Sequence, residues 1–159
     1  MLLPINIMAT TNRSVFSDID GSEYYANSAI FLESNDIMKG YPDGSFGPQK
    51  SVTRSEMAAL VCRISGLEHI ANVKKGPTSF YDVPQTHWAS GYIVAAAERN
   101  IISGDGNGYF RPEDTVLFEE AVKMVVSALG LCDNITPDLS DWSAPYIKIA
   151  EENNSLYYV

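Results

Sequence analysis

One stretch of the chain combines residue types that suit the binding of an anion. Thr53, Arg54 and Glu56 stand at the predicted start of a helix, where backbone N–H groups and the helix dipole favour negative charge. The planar guanidinium of Arg54 has the geometry that pairs with a carboxylate. Tyr41 follows Gly40 on a glycine-rich loop and could lay its ring against a sugar. These five residues form the candidate ligand site.

Each of these residues also has a structural interpretation. Thr53 followed three residues later by Glu56 is a capping box, in which each side chain satisfies a backbone N–H group of the other residue. Arg54 could bridge a neighbouring repeat through an acidic residue, since exposed arginines in a first helical turn are usually solvated or weakly paired. Tyr41 could pack instead of stacking on a sugar. We expect Arg54→Ala to weaken ligand binding and to leave helicity and thermal melting nearly unchanged.

The elements that position these residues are copies of one repeat. The segment from Gly40 to Glu56 recurs 64 residues later from Gly104 to Glu120, without a gap. A third copy begins at Trp142. The predicted divisions are an N-terminal extension, repeat 1, repeat 2 and the first helix of a truncated repeat 3, at 1–14, 15–67, 80–131 and 139–159.

Each copy is predicted to fold as helix, loop and helix, which makes the chain all-α. Apolar residues at i, i+3, i+4 and i+7 mark the second helix of both copies. Gly40 and Gly104 are expected to end the first helices with a positive φ, and Leu117-Phe118 replaces Thr53-Arg54 in repeat 2, so its capping box is expected to be absent. Five helices are predicted near 23–37, 53–66, 87–101, 116–130 and 142–153, with linkers at 67–79 and 132–140.

Several side chains carry further expectations. Trp88 and Trp142 each precede a tyrosine by four residues, which favours packing in the core or between repeats over stacking on a sugar. Asp18 and Asp82 are expected to cap turns or helices. The apolar residues of 142–159 have no second helix to cover them, which predicts either self-association, most simply as a homodimer, or docking to a further C-terminal segment.

Composition excludes several classes of function. The formal net charge of −9 opposes nonspecific binding to nucleic acid or to an anionic membrane, and no apolar run reaches the roughly 20 residues of a membrane span. The apolar start of the chain lacks the basic residues of a signal peptide. Cys62 and Cys132 are predicted to be buried thiols, with a disulfide between them as the alternative.

No residues suggest an enzyme or a cofactor. The chain has no nucleophile motif and no phosphate-binding loop, and His69 and His87 lack partners at zinc-ligand spacing. The stretch from Asp105 to Gly108 resembles the start of a calcium loop, but no acidic residue closes it. We therefore expect no metal, no cofactor and no catalytic residue.

The dispersed motifs together resemble the S-layer homology domain. They are Phe16-Ser-Asp-Ile19, Phe80-Tyr-Asp-Val83, His87-Trp-Ala89, the Gly40–Pro48 loop and Thr53-Arg-Ser-Glu56. This resemblance implies three helix–loop–helix units around a pseudo-threefold axis. It also implies noncatalytic, carbohydrate-binding anchoring at the bacterial cell surface, through an anionic and commonly pyruvylated cell-wall polysaccharide.

In this family the Thr-Arg-x-Glu motif contributes to the ligand groove, and here Thr53, Arg54 and Glu56 match it. Leu117 and Phe118 depart from the motif, which predicts binding mainly through repeat 1. The alternative is an assembly module that has lost glycan binding and mediates protein–protein contact or self-association. The same departures and the missing third loop favour that alternative.

Overall fold

The computed structural model describes residues 16–74, 76–132, 135 and 140–153. Within those residues the structure is helical and contains no β-strand, which confirms the all-α prediction with repeated units. An isolated backbone bridge joins Thr53 and Thr115. The six helices are α1 (Ala26–Ser34), α2 (Arg54–Ile64), α3 (Glu68–Val73), α4 (Ser90–Glu98), α5 (Phe118–Ala128) and α6 (Ala144–Glu152).

The chain divides into two compact units, the first ending at Pro48 and the second beginning at Gln49. In the first unit α1 contributes two buried alanines to a small apolar cluster, and the rings of Phe16 and Phe46 lie 5.1 Å apart. Burial of this apolar surface stabilises the unit. The buried members of the cluster are Phe16, Ile19, Ala26 and Ala29.

The second unit contains the larger core. Helix α2 packs on α4 and α5, and α3 packs on both α2 and α4. Phe110, which folds back from the glycine-rich loop of repeat 2, is completely buried in this core. A second cluster joins α5 to α6 through Val122, Val126 and Ala150.

This second cluster corrects the expectation of an uncovered stripe on the third copy. Ala150 is buried against α5, and Tyr146, Ile147 and Ile149 pack around it in partly buried positions. The second helix of repeat 2 therefore covers the apolar face of α6. Residues 154–159, which carry the rest of the predicted apolar patch, lie outside the described residues, as does the extension at 1–14.

Four helices end with the same backbone geometry. The second residue after each helix has a positive φ: 57° at Asp36, 70° at Gly66, 56° at Asn100 and 70° at Gly130. The N–H of the next residue then donates to a carbonyl in the last turn, as from Leu67 to Cys62 at 2.7 Å. The first helix of each repeat therefore ends at Ser34 or Glu98, two residues before a left-handed Asp36 or Asn100 and earlier than the sequence predicts.

The two loop glycines serve a different purpose from the predicted one. Gly40 has a φ of 65°, but Gly104 is not among the residues with positive φ. Both are needed because the loop backbone lies against an aromatic ring. A Cβ on Gly104 would lie 2.6 Å from the Phe80 ring, and one on Gly40 would lie 2.5 Å from the Phe16 ring.

Helix α3 occupies a segment that the sequence predicts to be a linker. It is six residues long, too short to show a reliable apolar period, and it buries Ala71. The contact with α4 is close, because a Cβ on Gly91 would lie 2.0 Å from the carbonyl oxygen of Ala71.

The two cysteines are free thiols, which excludes the disulfide alternative. Cys62 is fully buried, and this burial raises the pKa of its thiol to about 12, so it stays protonated at neutral pH. Cys132 is only partly buried, and its Sγ donates to Ser127 Oγ over 3.4 Å. The prediction of two buried thiols therefore holds for Cys62 alone.

Repeat 2 keeps one half of the capping box that the sequence predicts to be absent. Glu120 Oε2 accepts a hydrogen bond from the backbone N–H of Leu117 at 3.1 Å. The other half is missing, because a leucine side chain has no acceptor. Repeat 1 has both halves: Thr53 N–H donates to Glu56 Oε2 at 2.8 Å, and Glu56 N–H donates to Thr53 Oγ1 at 3.2 Å.

We expect Gly91→Ala to lower the free energy of unfolding by about 1–3 kcal/mol, because its methyl group overpacks the contact with α3. This loss outweighs the gain of about 1 kcal/mol that alanine brings to a helix. Gly76→Ala is the matched control: a Cβ there meets nothing within 4 Å, so its unfolding free energy should match the parent. Urea denaturation followed by circular dichroism measures both, and equal midpoints would contradict the close helix contact.

The missing half of the second capping box can be restored. Leu117 has a φ of −76° and a ψ of 154°, close to the −81° and 162° of Thr53. Leu117→Thr should therefore stabilise the chain by about 1 kcal/mol, whereas Thr53→Ala should destabilise it by about 1 kcal/mol. Thermal melts of both variants test the pair. A Leu117→Thr variant that melts below the parent would show that Leu117 has a packing role that outweighs the cap.

Candidate functional site

The backbone N–H groups at the start of α2 all have partners within the chain. Those of the first two helical residues donate to the carbonyl oxygens of Asp114 and Pro112, each at 2.9 Å. Those of the third and fourth donate to the side-chain and backbone oxygens of Thr53, at 3.2 and 2.9 Å. The expectation that free N–H groups at this helix start receive an anion is therefore wrong.

The side chain of Arg54 extends from repeat 1 into the loop of repeat 2. Its Nε donates to the carbonyl oxygen of Phe110 at 2.8 Å, and its Nη2 donates to that of Ser103 at 3.0 Å. Its Nη1 lies 2.6 Å from Glu120 Oε1, and its Cζ lies 4.8 Å from the centre of the Phe110 ring. Arg54 is only 7% exposed, so this is a buried bridge between repeats. Two of the five guanidinium N–H groups are not used by these bonds.

Glu120 has two tasks at this bridge. One carboxylate oxygen accepts from Arg54 and the other caps the N–H of Leu117. An unpaired carboxylate at this helix start would repel an anion. In the structure the charge of Glu120 is matched by Arg54.

Beside the bridge is a cleft of about 550 Å³, formed wholly within the second compact unit. Its walls are the loop from Ile101 to Arg111, the start of α2 at Arg54, one face of α5, and Trp142 at the beginning of the third copy. Three copies of the repeat therefore contribute to one concave surface. Such a surface is the usual form of a small-molecule site.

The loop that lines the cleft is held by aspartates. Asp82 accepts from the N–H groups of Phe110 and Arg111 at 2.9 and 2.6 Å, and Asp18 does the same for the equivalent pair in repeat 1, at 2.7 and 2.8 Å. The backbone N–H groups of that pair, first that of Phe46, lower the pKa of the Asp18 carboxyl. Both aspartates therefore bind backbone N–H groups, but those groups lie in the loop 28 and 29 residues further along the chain and not in the predicted turn or helix start.

The segment that resembles a calcium loop uses its carboxylate within its own turn. Asp105 Oδ1 accepts from the N–H groups of Asn107 and Tyr109 at 2.8 and 3.2 Å, and Oδ2 pairs with Arg111 at 3.0 Å. These contacts lower the pKa of Asp105, the hydrogen bond from Asn107 having the largest effect. The cost of holding Arg111 here is a left-handed backbone, with a φ of 59° at the position that Gly47 occupies in repeat 1.

Both tryptophans are half exposed, so neither packs in the core, whereas the contact of Trp142 with Lys123 lies between repeats. Trp88 is 54% exposed and Trp142 is 50% exposed. The ring of Trp142 lines the cleft, with the Nζ of Lys123 5.7 Å from its centre. The same Nζ lies 5.8 Å from the ring of Tyr146.

The five predicted ligand residues are divided between the two compact units. Thr53, Arg54 and Glu56 belong to the second unit, and Gly40 and Tyr41 belong to the first. Arg54 borders the cleft, whereas Thr53 and Glu56 bond to each other in the cap. Within its own loop Tyr41 donates its N–H to the carbonyl oxygen of Ser45 at 2.8 Å. Their role in binding a ligand stays a prediction.

Sequence reasoning missed several residues of the cleft. Lys123 replaces Ala59 of repeat 1 and Asp114 replaces Lys50. Neither residue is identical in the two repeats, so the repeated motif does not reveal them. The sequence contains one feature that indicates a role for Glu120 beyond the helix cap. Glu120 is retained where the Thr-Arg pair before it is lost, which indicates a partner outside its own cap.

Residues 15–58 and 79–122 each match the family model of the S-layer homology domain. The chain belongs to this family. The two matches cover the predicted repeats 1 and 2 through the start of their second helices. The aspartates that hold the loops, Arg54 and Glu120 all lie within the matched residues.

Relatives of this S-layer homology chain are larger proteins. It is 34% identical over 151 residues to a cell surface protein of Thermoanaerobacter kivui. This alignment covers 94% of this chain and 19% of that protein. It is 31% identical to an uncharacterized cell wall amidase of Bacillus anthracis, over 87% of this chain and 24% of the relative. It is 30% identical to a cellulosome-anchoring protein of Acetivibrio thermocellus, over 76% of this chain and 27% of the relative. The chain thus spans about a quarter or less of these relatives.

Among the described helices, none is long and apolar enough to cross a membrane.

The ion pair between Arg54 and Glu120 should contribute measurably to stability. We expect a double-mutant cycle of Arg54→Ala and Glu120→Ala to give a coupling energy of about 1–3 kcal/mol, since the arginine is buried and the hydrogen bond is charged. Arg54→Ala should be the more destabilising single change, because it also leaves the carbonyls of Phe110 and Ser103 without a donor. This replaces the expectation of unchanged melting.

Lys148 and Glu152 provide the control cycle. Their charged atoms lie 3.9 Å apart on the exposed face of α6, where a pair contributes about 0.3–0.5 kcal/mol. Chemical denaturation of the parent and the six variants measures both cycles. A coupling at Arg54 no larger than that of the surface pair would contradict a buried bridge.

Proposed function

We propose that this S-layer homology chain is a noncatalytic module that attaches the protein carrying it to the bacterial cell wall. Its ligand is an anionic secondary cell-wall polysaccharide, for which a pyruvylated polymer has suitable chemistry. The location that follows is extracellular, at the cell surface. The observation that carries this proposal is a cleft that combines a guanidinium with unused N–H donors and an exposed indole ring.

Family membership supports the anchoring part of the proposal. The relatives named above include a cell surface protein and a cellulosome-anchoring protein, and this chain aligns with only a part of each. A segment shared by proteins of different size suits a common attachment module.

The cleft supports the polysaccharide part. The two remaining N–H groups of Arg54 can donate to an acid group, and the half-exposed ring of Trp142 offers a flat apolar face for a sugar ring. Thr53 and Glu56 fix the turn from which Arg54 extends. Repeat 1 thus contributes its arginine to a cleft whose other walls come from repeat 2 and the third copy. Gly40 and Tyr41 are proposed contacts on the loop of the first compact unit.

We assign no catalytic step to the chain. Two of the three carboxylates in the cleft, Asp105 and Glu120, are paired with arginines and hold backbone N–H groups. A carboxylate engaged in this way is poorly placed to move a proton. The word amidase in the name of one relative describes a protein of which this chain matches 24%.

A second candidate function is assembly without glycan binding. Leu117 and Phe118 replace the Thr-Arg pair in repeat 2 and are 61% and 50% exposed. An exposed apolar pair of this kind suits a protein–protein contact. A homodimer through 142–159 is one form of this alternative, although α5 covers part of that face within one chain.

Cosedimentation with purified sacculi tests the proposed function. The parent should pellet with intact sacculi and stay in the supernatant after the secondary polymer has been stripped chemically. Binding that persists unchanged after stripping, or no binding to intact sacculi, would contradict the proposal that the ligand is the secondary polysaccharide. Sedimentation velocity at micromolar concentration tests the alternative, because a module that assembles through 142–159 should sediment as a dimer without any glycan.

A further inference from the structure

The charged groups of the cleft are unevenly paired. Three cations and three carboxylates line it, and two pairs among them are closed: Arg54 with Glu120 at 2.6 Å and Arg111 with Asp105 at 3.0 Å. The remaining cation is Lys123 and the remaining carboxylate is Asp114. Neither side chain has a hydrogen bond or ion pair with any residue in the described part of the chain. The uncompensated charge of the cleft therefore resides on these two.

The ammonium of Lys123 is held in place without being neutralised. Its Nζ lies 5.7 Å from the centre of the Trp142 ring and 5.8 Å from that of Tyr146, which are cation–π distances. An aromatic face attracts the cation but leaves its positive charge available to a ligand. Lys123 and Glu120 are three residues apart on α5, which places Lys123 on the same helix face as the Arg54 bridge.

The carboxylate of Asp114 complements this cation. Its backbone is fixed, because its carbonyl oxygen accepts from the N–H of Arg54 at 2.9 Å and its own N–H donates to the carbonyl oxygen of Arg111 at 3.2 Å. The side chain is exposed at the cleft. An ionised carboxylate only accepts hydrogen bonds, so its natural partners in a ligand are hydroxyl groups.

We propose that Lys123 is the group that binds the acid substituent of the ligand, and that Asp114 accepts hydroxyl groups of the same saccharide. Arg54 already pairs with Glu120, so it provides hydrogen-bond donors beside this contact but no net charge. The inference rests on the proposed function and defines its ligand class as a hydroxyl-rich saccharide that carries an acid group. A polyanion without hydrogen-bond donors cannot donate to the Asp114 carboxylate and is repelled by its charge.

Comparison of the repeats shows that the combination of Lys123 and Asp114 occurs in this cleft and not in the equivalent positions of repeat 1. The positions of Lys123 and Asp114 hold Ala59 and Lys50 in repeat 1, so neither charge follows from the repeated motif. The recognition of the acid group is thus a property of this cleft and not of every copy.

Isothermal titration with soluble secondary polymer, released from sacculi by muramidase digestion, tests the role of Lys123. Lys123→Met should lower the affinity about tenfold or more and flatten its dependence on salt, because one charged contact is lost. Lys123→Arg should keep most of the affinity. Lys148→Met removes the same charge from the exposed face of α6 and should bind like the parent. Circular dichroism confirms that each variant is folded.

The outcomes separate the two proposals. If the parent binds the polymer and Lys123→Met binds equally well, the role of Lys123 is overturned and the proposed function stands. If the parent itself does not bind, the proposed function fails and the inference fails with it. An equal loss in Lys148→Met would show that only net charge matters, which also overturns a specific contact.

Polyacrylate, an acid polymer with neither hydroxyl nor amide donors, tests the role of Asp114. The parent should bind polyacrylate at least tenfold more weakly than the wall polymer. Asp114→Ala should lower the affinity for the wall polymer and should not lower the affinity for polyacrylate. The difference between the two affinities should therefore shrink. Equal affinity of the parent for both polymers would overturn the assignment of a saccharide contact to Asp114.

Discussion

The interaction on which the second compact unit depends is the buried contact of Arg54 with the loop of repeat 2 and with Glu120. A guanidinium with 7% exposure is costly to remove from water unless its donors are used, and here two carbonyl oxygens and one carboxylate use three of them. Because these acceptors come from the loop and from α5, the same bonds fix the start of α2, the loop and α5 relative to one another. The cleft exists because those three elements are held together.

Repeated features build the frame of the molecule, and differences between the copies create its chemistry. Both repeats hold the loop with an aspartate, bring a glycine against an aromatic ring and end their helices at a left-handed residue. These devices satisfy backbone groups and need no partner outside the repeat. By contrast, Asp105, Arg111, Asp114 and Lys123 have Tyr41, Gly47, Lys50 and Ala59 at the equivalent positions. The charge pattern of the cleft is therefore encoded once.

This arrangement lets an acidic protein hold an acidic ligand. The chain has a formal net charge of −9, which repels polyanions at long range, although salt screens this repulsion beyond about 8–10 Å. Within the cleft, two ion pairs cancel most of the charge and leave the exposed carboxylate of Asp114 and the ammonium of Lys123, which lies against aromatic rings. Attraction is therefore local and short in range, which favours a ligand that fits the cleft over one that is merely charged.

The sequence by itself determined the repeat, the all-α class, the family resemblance and the capping box of Thr53 and Glu56, because the pattern behind each of them is contained within one copy. It could not show that Glu120 pairs with Arg54, that α3 forms in the linker, or that Trp142 is half exposed beside Lys123. Each of these depends on which copy packs against which, and repeat periodicity contains no information about contacts between copies. The tertiary structure decided them, since a buried charge takes the partner that packing brings within reach.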